Sequence, residues 1–147
     1  MVAYPHRIER EVVIDAPAEV VWAVITEPDH INGWFGDVTE IDLRPGGRVM
    51  FGWTEHDHAS YGRVERVEPP HAFAFRWNRG APEVRDDDST LVEFTLRAEG
   101  ESTRLTVVES GFAEVAWPEE DRAREAKGHA EGWELELGEL TEYAERL

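Results

Sequence analysis

Residues 126–147 read "AKGHAEGWELELGELTEYAERL", and the reading of this stretch decides the fold. Trp133, Leu137, Leu140, Ala144 and Leu147 recur at i, i+4, i+7, i+11 and i+14, the spacing of one helical face. Acidic residues occupy much of the rest, so the apolar stripe must lie on another element. Carried back through "WPEEDRARE", the pattern predicts a helix from about residue 119 to residue 146. At 1.5 Å per residue such a helix is about 40 Å long. Gly128, Gly132 and Gly138 interrupt it, and each costs roughly 1 kcal/mol relative to alanine. Gly128 and Gly132 are one turn apart, beside Trp133. Two accounts follow: close packing of helix on sheet, or space left for a ligand or for a mobile N-terminal half. Gly138 falls off the stripe and is read as exposed.

What the helix covers is read upstream. "RIEREVVI" (7–14) sets Ile8, Val12 and Ile14 on one face of a strand. "DAPAEVVWAVIT" (15–26) reads as a helix, with Pro17 in its first turn and Glu19 favoured near its positive end. "EPDHINGWFG" (27–36) reads as a second short helix that stops at Gly33 or Gly36. Six strands follow: "VTEIDL" (38–43), "RVMFGW" (48–53), "SYGRVERVE" (60–68), "AFAFRW" (72–77), "TLVEFTLRA" (90–98) and "TRLTVVES" (103–110). Short turns between consecutive strands imply antiparallel pairing. A long twisted sheet curls, and one long helix fills its concave side. The fold class is therefore α+β: a curved antiparallel sheet of about seven strands around a C-terminal helix, in a single domain over residues 1–147.

Composition narrows function. The 147 residues are 41% hydrophobic and 32% charged, with a formal net charge of −17 and no cysteine. Such an acidic surface repels phosphates and anionic lipid headgroups, so no nucleic-acid partner is expected. No apolar run approaches the ~20 residues that span a bilayer, so no membrane insertion is expected. "MVAYPHRIEREVV" at the start lacks the apolar core of a secretory signal, which with the absence of cysteine fits a cytoplasmic protein.

The alternation of the strands turns Trp53, Phe75, Trp77 and Phe94 toward the concave side, facing Trp133. They either fill a core or line a cavity. Glu109 and Arg79 follow apolar residues at the inward parity, and Tyr61 and Arg63 share one parity of the adjacent strand; a carboxylate and a guanidinium at a cavity mouth can orient a polar ligand end. Glu93 has the parity of water. The six histidines, including His56 and His58 in "EHDH", show no recognised ligand spacing, and "RDDDS" (85–89) lacks the glycine and distal glutamate of a calcium loop. No metal or other cofactor is expected. No nucleophile elbow, phosphate loop or dinucleotide fingerprint is present. Tyr61, Glu109 and His129 are the groups available for acid–base work, and none is assigned a catalytic role.

The ordered set "IDAPAEVVWAVITEPDHINGWF" (14–35), "DLRPGGRVMF" (42–51), "YGRVERVEPPHAFAFRW" (61–77), "LTVVESGF" (105–112) and "GHAEGWELELGEL" (128–140) resembles the START-like, or Bet v 1-like, superfamily. Within it the chain is similar to the branch named for the activator of the ninety-kilodalton heat-shock protein ATPase. The resemblance implies a helix-grip fold whose cavity holds lipids, sterols, polyketides or other apolar molecules. Some relatives are aromatases or cyclases. Eukaryotic co-chaperone members carry a further domain before this one; nothing of that kind precedes it here, so a chaperone partner is not expected. "TEHDHAS" replaces the glycine-containing turn that often follows the "GGRVMF" strand, which alters one lip of the cavity. The function expected is binding of a small, largely apolar molecule by Trp53, Tyr61, Arg63, Phe75, Trp77, Phe94, Glu109 and Trp133. A cyclase or aromatase using the same cavity, and an interaction module or homodimer, stay open.

Overall fold

A computed structural model describes residues 3–147. The chain runs β1 (Arg7–Ile14), α1 (Ala18–Thr26), α2 (Pro28–Ile31), β2 (Val38–Ile41), β3 (Arg48–Trp53), β4 (His58–Glu68), β5 (Ala72–Trp77), β6 (Thr90–Glu99), β7 (Ser102–Ser110) and α3 (Glu119–Glu145). The seven strands form one antiparallel sheet in the order β1-β7-β6-β5-β4-β3-β2. The two short helices carry the chain from β1 at one edge of the sheet to β2 at the other, and β2 to β7 then follow one another in sequence order, which brings β7 beside β1. The helix-grip architecture expected from the sequence is the one observed.

Strand alternation packs the concave side. Val49 and Phe51 of β3, Phe73 and Phe75 of β5, Val92 and Phe94 of β6, and Leu105 and Val107 of β7 are all buried. Against them α3 lays Ala126, Trp133, Leu137, Leu140 and Ala144. Leu147 departs from the expected stripe: the helix ends at Glu145 and Leu147 is 60% exposed. α1 buries Val21, Val24 and Ile25, and Trp34, just beyond α2, donates its indole N–H to the Val24 carbonyl at 2.9 Å. α2 is a single turn that ends at Ile31, short of the expected glycines, and the chain then turns through Gly33.

β4 corrects the reading of its own strand. It starts at His58, and Phe51 stands opposite Ser60, Val49 opposite Gly62, and Met50 opposite Tyr61. Residues directly opposite share a face, so the inward positions are Ser60, Gly62 and Val64. Tyr61 and Arg63 point the other way, away from the helix. Arg48 lies 5.4 Å from the Tyr61 ring centroid, and Arg63 pairs with Glu65 at 2.8 Å and Asp86 at 2.7 Å. Small or polar inward residues such as Ser60 and Gly62 give no hydrophobic signal, so hydropathy does not mark the inward face of this part of β4.

The "TEHDHAS" segment forms a 3₁₀ turn over Thr54–His56, and Asp57 then takes φ 48, a left-handed conformation. Aspartate tolerates that region better than most residues without being glycine. The turn carries His56 and His58 to one rim of the space under α3.

Candidate functional site

Glu109 ends the inward row of β7 and is fully buried, 0% exposed. A carboxylate removed from water requires donors around it, and four side chains supply them. Trp77 of β5 donates to Oε2 at 2.9 Å and Thr90 of β6 donates to Oε2 at 2.6 Å. Trp133 of α3 donates to Oε1 at 2.8 Å. His129, one turn earlier on α3, places Nδ1 2.9 Å from both oxygens. The sheet and the helix are thus tied through one carboxylate.

Burial is the largest single influence on Glu109 and opposes its ionisation. The charge of His129 and the bonds from His129, Thr90 and Trp77 together outweigh it, so the carboxyl titrates below its ordinary range. Burial likewise works against the imidazolium, but Glu109 and Glu125 overcome it and raise His129 from 6.5 to about 10. Glu125, one turn before His129, has Oε2 3.4 Å from Nε2. Its carboxyl is lowered, first by His129. At neutral pH the three groups are carboxylate, imidazolium, carboxylate.

Above this triad is a cleft of about 540 Å³ between α3 and the ends of β3, β4 and β5. Phe35, Trp53, Trp77, Trp117 and Trp133 form its aromatic walls. Phe35 and Trp133 are parallel, 6.2 Å apart at 2°, and Trp77 lies 6.0 Å from Trp133. Trp117 is fixed by donation to Asp88 at 2.7 Å and by Arg79, 4.3 Å above its ring. Arg79 pairs with Asp121 at 3.0 Å. Ser60, Glu125, His129 and Glu136 add polar groups to the lining. Burial first, and then Glu139 nearby, pushes Glu136 up from 4.5 to about 7.

Gly128 and Gly132 supply the helix side of the cleft. A Cβ built on either meets nothing within 4 Å. The close-packing account of these glycines is therefore overturned: the space beside each is open. Gly138 is exposed and equally uncrowded.

Of the residues expected to bind a ligand, Trp53, Trp77 and Trp133 line this cleft together. Phe75 and Phe94 do not: they are 2% and 3% exposed and pack against Phe73 and one another. Phe94 meets the Trp133 ring at 84°. The deep concave interior is therefore filled, and the open volume is at one end. Glu109 lies under the cleft floor with its oxygens engaged, not at a mouth. Tyr61 and Arg63 lie on the opposite face. His129, weighed as an acid–base group, is in the cleft lining. The sequence reading missed Phe35, Ser60, Glu125 and Glu136. The i, i+4 spacing of Glu125 and His129 and the i, i+3 spacing of Trp133 and Glu136 were legible signals; Ser60 gave none. Among the described residues no cluster of three histidine or acidic side chains is arranged to hold a metal ion, and no helix is long and apolar enough to cross a membrane.

Known proteins give this geometry its relatives. The chain is similar in structure to DynU16, a protein of the dynemicin biosynthetic locus, with TM-score 0.77 and 25% identity over 96% of this chain and 48% of that one. It is also similar to the Aha1 dimer from Colwellia psychrerythraea, with TM-score 0.75 and 16% identity over 99% of this chain and 97% of that one. A local likeness to intercellular adhesion molecule 1 of Pan troglodytes, 38% identical over 63 residues, covers 43% of this chain and 12% of that protein's length. The model of the family described as "Activator of Hsp90 ATPase homolog 1-like protein" matches residues 15–145. Spanning both short helices, the whole sheet after β1 and all of α3, that match means the chain belongs to this family.

Proposed function

We propose that the chain binds one small, largely apolar ligand in the cleft between α3 and the ends of β3–β5, acting as a single domain. One observation carries the reading: Gly128 and Gly132 leave the helix bare opposite Trp53 and Trp77, at a cost in helix stability that packing does not offset. Pockets of several hundred Å³ with aromatic walls and a few convergent polar groups suit such ligands. The ligand-facing residues are Trp53, Trp77, Trp133, His129 and Glu125, with Glu109 positioning three of them.

The test is a thermal-shift and tryptophan-fluorescence screen of fatty acids, sterols, polyketides and fused aromatics against the wild type and Gly132→Leu. Wild type should bind a subset of the panel, and Gly132→Leu should weaken that binding at least tenfold with its melting temperature kept or raised. A panel with no binder, or unchanged affinity in Gly132→Leu, overturns the proposal.

A second reading, turnover of the ligand by cyclase-type chemistry, is favoured by one feature. His129, a fixed proton donor, and Glu136, a carboxylate titrating near 7, line the same cleft. It predicts a product whose formation is lost in Glu136→Gln while binding is kept. The Colwellia relative was solved as a dimer; sedimentation of this chain at several concentrations tests a homodimer.

A further inference from the structure

His129 has its two ring nitrogens committed differently. Nδ1 is held at Glu109, whose two oxygens also accept from Trp77, Thr90 and Trp133. Glu109 is saturated and cannot reach a ligand. Nε2 is at the opposite side of the ring, on a side chain 28% exposed in the cleft wall. Its neighbour there is Glu125 Oε2 at 3.4 Å, on a side chain also 28% exposed. That separation exceeds the roughly 2.7–2.9 Å of a well-formed bond between charged groups. The cleft wall therefore presents a cationic N–H donor and an anionic oxygen acceptor side by side, neither fully used by the other.

We infer that this pair selects ligands bearing a hydroxyl group, phenolic or enolic, on a flat apolar body, with the oxygen seated against His129 Nε2 and its proton directed to Glu125 Oε2. The inference rests on the ligand-binding reading above and adds the chemistry of the ligand's polar end. A hydroxyl is a small neutral group that accepts and donates strongly through a single atom. An ammonium can only donate and meets the imidazolium charge. A carboxylate can only accept and meets Glu125. An ether or ketone satisfies His129 alone and leaves Glu125 to be desolvated without a partner, which is penalised. The other charges of the lining do not change this ranking: Arg79 is engaged by Asp121 and Trp117, and Glu136 lies two helical turns beyond His129. The flat body follows from the walls, since Trp53, Trp77, Trp133 and Phe35 offer ring surfaces that favour stacked or edge-on aromatic partners.

The experiment titrates naphthalene, 2-methoxynaphthalene, 2-naphthol and 2-naphthoate by isothermal calorimetry into wild type, His129→Gln and Glu125→Ala. In wild type 2-naphthol should bind about tenfold or more tighter than 2-methoxynaphthalene, the effect of a hydrogen bond to a charged group. Glu125→Ala, at the cleft wall and without a structural partner beyond His129, should reduce severalfold the ratio of 2-naphthol to 2-methoxynaphthalene affinity measured within the variant itself. His129→Gln should abolish the preference if it folds, and Glu125→Ala decides the matter if it does not. Equal affinities for 2-naphthol, its methyl ether and naphthalene would overturn this inference and leave the ligand-binding proposal intact. Tighter binding of 2-naphthoate than of 2-naphthol would overturn it too, because it would mark a simple cation site. Absence of binding by these probes and by the wider panel would overturn both.

Discussion

Replacing Glu109 by glutamine removes one charge from a fully buried side chain and changes its shape little. In the wild type His129 is raised from 6.5 to about 10, and each pH unit of that interval is worth about 1.4 kcal/mol, so the pair contributes at most about 5 kcal/mol. Losing one partner of a buried pair costs about 3–5 kcal/mol in general, and the two figures agree. Glutamine brings a further penalty. Both oxygens of Glu109 accept from donors, so the amide NH₂ must face a donor whichever way it is turned. The pH dependence fixes the mechanism. A raised histidine gives stability that is fully present below 6.5 and is lost as pH rises through about 10. A depressed carboxylate gives stability that is present above 4.5 and is lost as pH falls through its folded value. The gap between wild type and Glu109→Gln should therefore be widest between those limits, near pH 5–6, at about 3–5 kcal/mol, and should narrow steadily above pH 6.5. Urea denaturation from pH 5 to pH 10 measures it, and the ring C–H resonances of His129 report its titration directly. In the variant His129 should titrate well below its wild-type value, because only Glu125 then opposes burial. A wild-type His129 that titrates near 6.5, or a loss under about 1 kcal/mol at pH 6, would refute the reasoning.

Two other substitutions separate the faces of the molecule. Tyr61→Phe removes a hydroxyl on the side of the sheet away from α3, so stability should change by less than about 0.5 kcal/mol and ligand affinity should not change at all; denaturation and the same calorimetric titrations check both. Glu136→Gln replaces a carboxyl raised to about 7 by burial and Glu139. A raised acid loses folding stability as pH climbs from 4.5 toward 7, so the variant should match the wild type at pH 4 and be more stable at pH 8, by melting temperature.

The spacing of Trp133, Leu137, Leu140 and Ala144 determined the C-terminal helix and its buried face, because a 3.6-residue period has one physical solution next to an apolar sheet. The alternation in "AFAFRW" and "TLVEFTLRA" likewise determined which strand residues turn inward, and the turns between strands determined antiparallel order. Parity failed at β4, where the inward positions are Ser60 and Gly62 and the conspicuous Tyr61 and Arg63 face outward. Hydrophobic patterning marks a face only when the residues on it are apolar. The site was half legible. Trp53, Trp77 and Trp133 were identifiable, since large aromatics at inward positions must border either core or cavity. Their separation from Phe75 and Phe94 was not, because it depends on where the sheet curls away from the helix. Glu109 was visible as a charge on an apolar face, but not as the shared acceptor of Thr90, Trp77, Trp133 and His129. Those donors come from three strands-and-helix segments 19 to 32 residues away from it, and no local period records which of them converge. The sequence by itself determined the elements and their faces, through forces acting within a turn or a strand. Only the tertiary structure decided that Gly128 and Gly132 of α3 open onto a cleft and that one buried carboxylate orients the histidine in its wall.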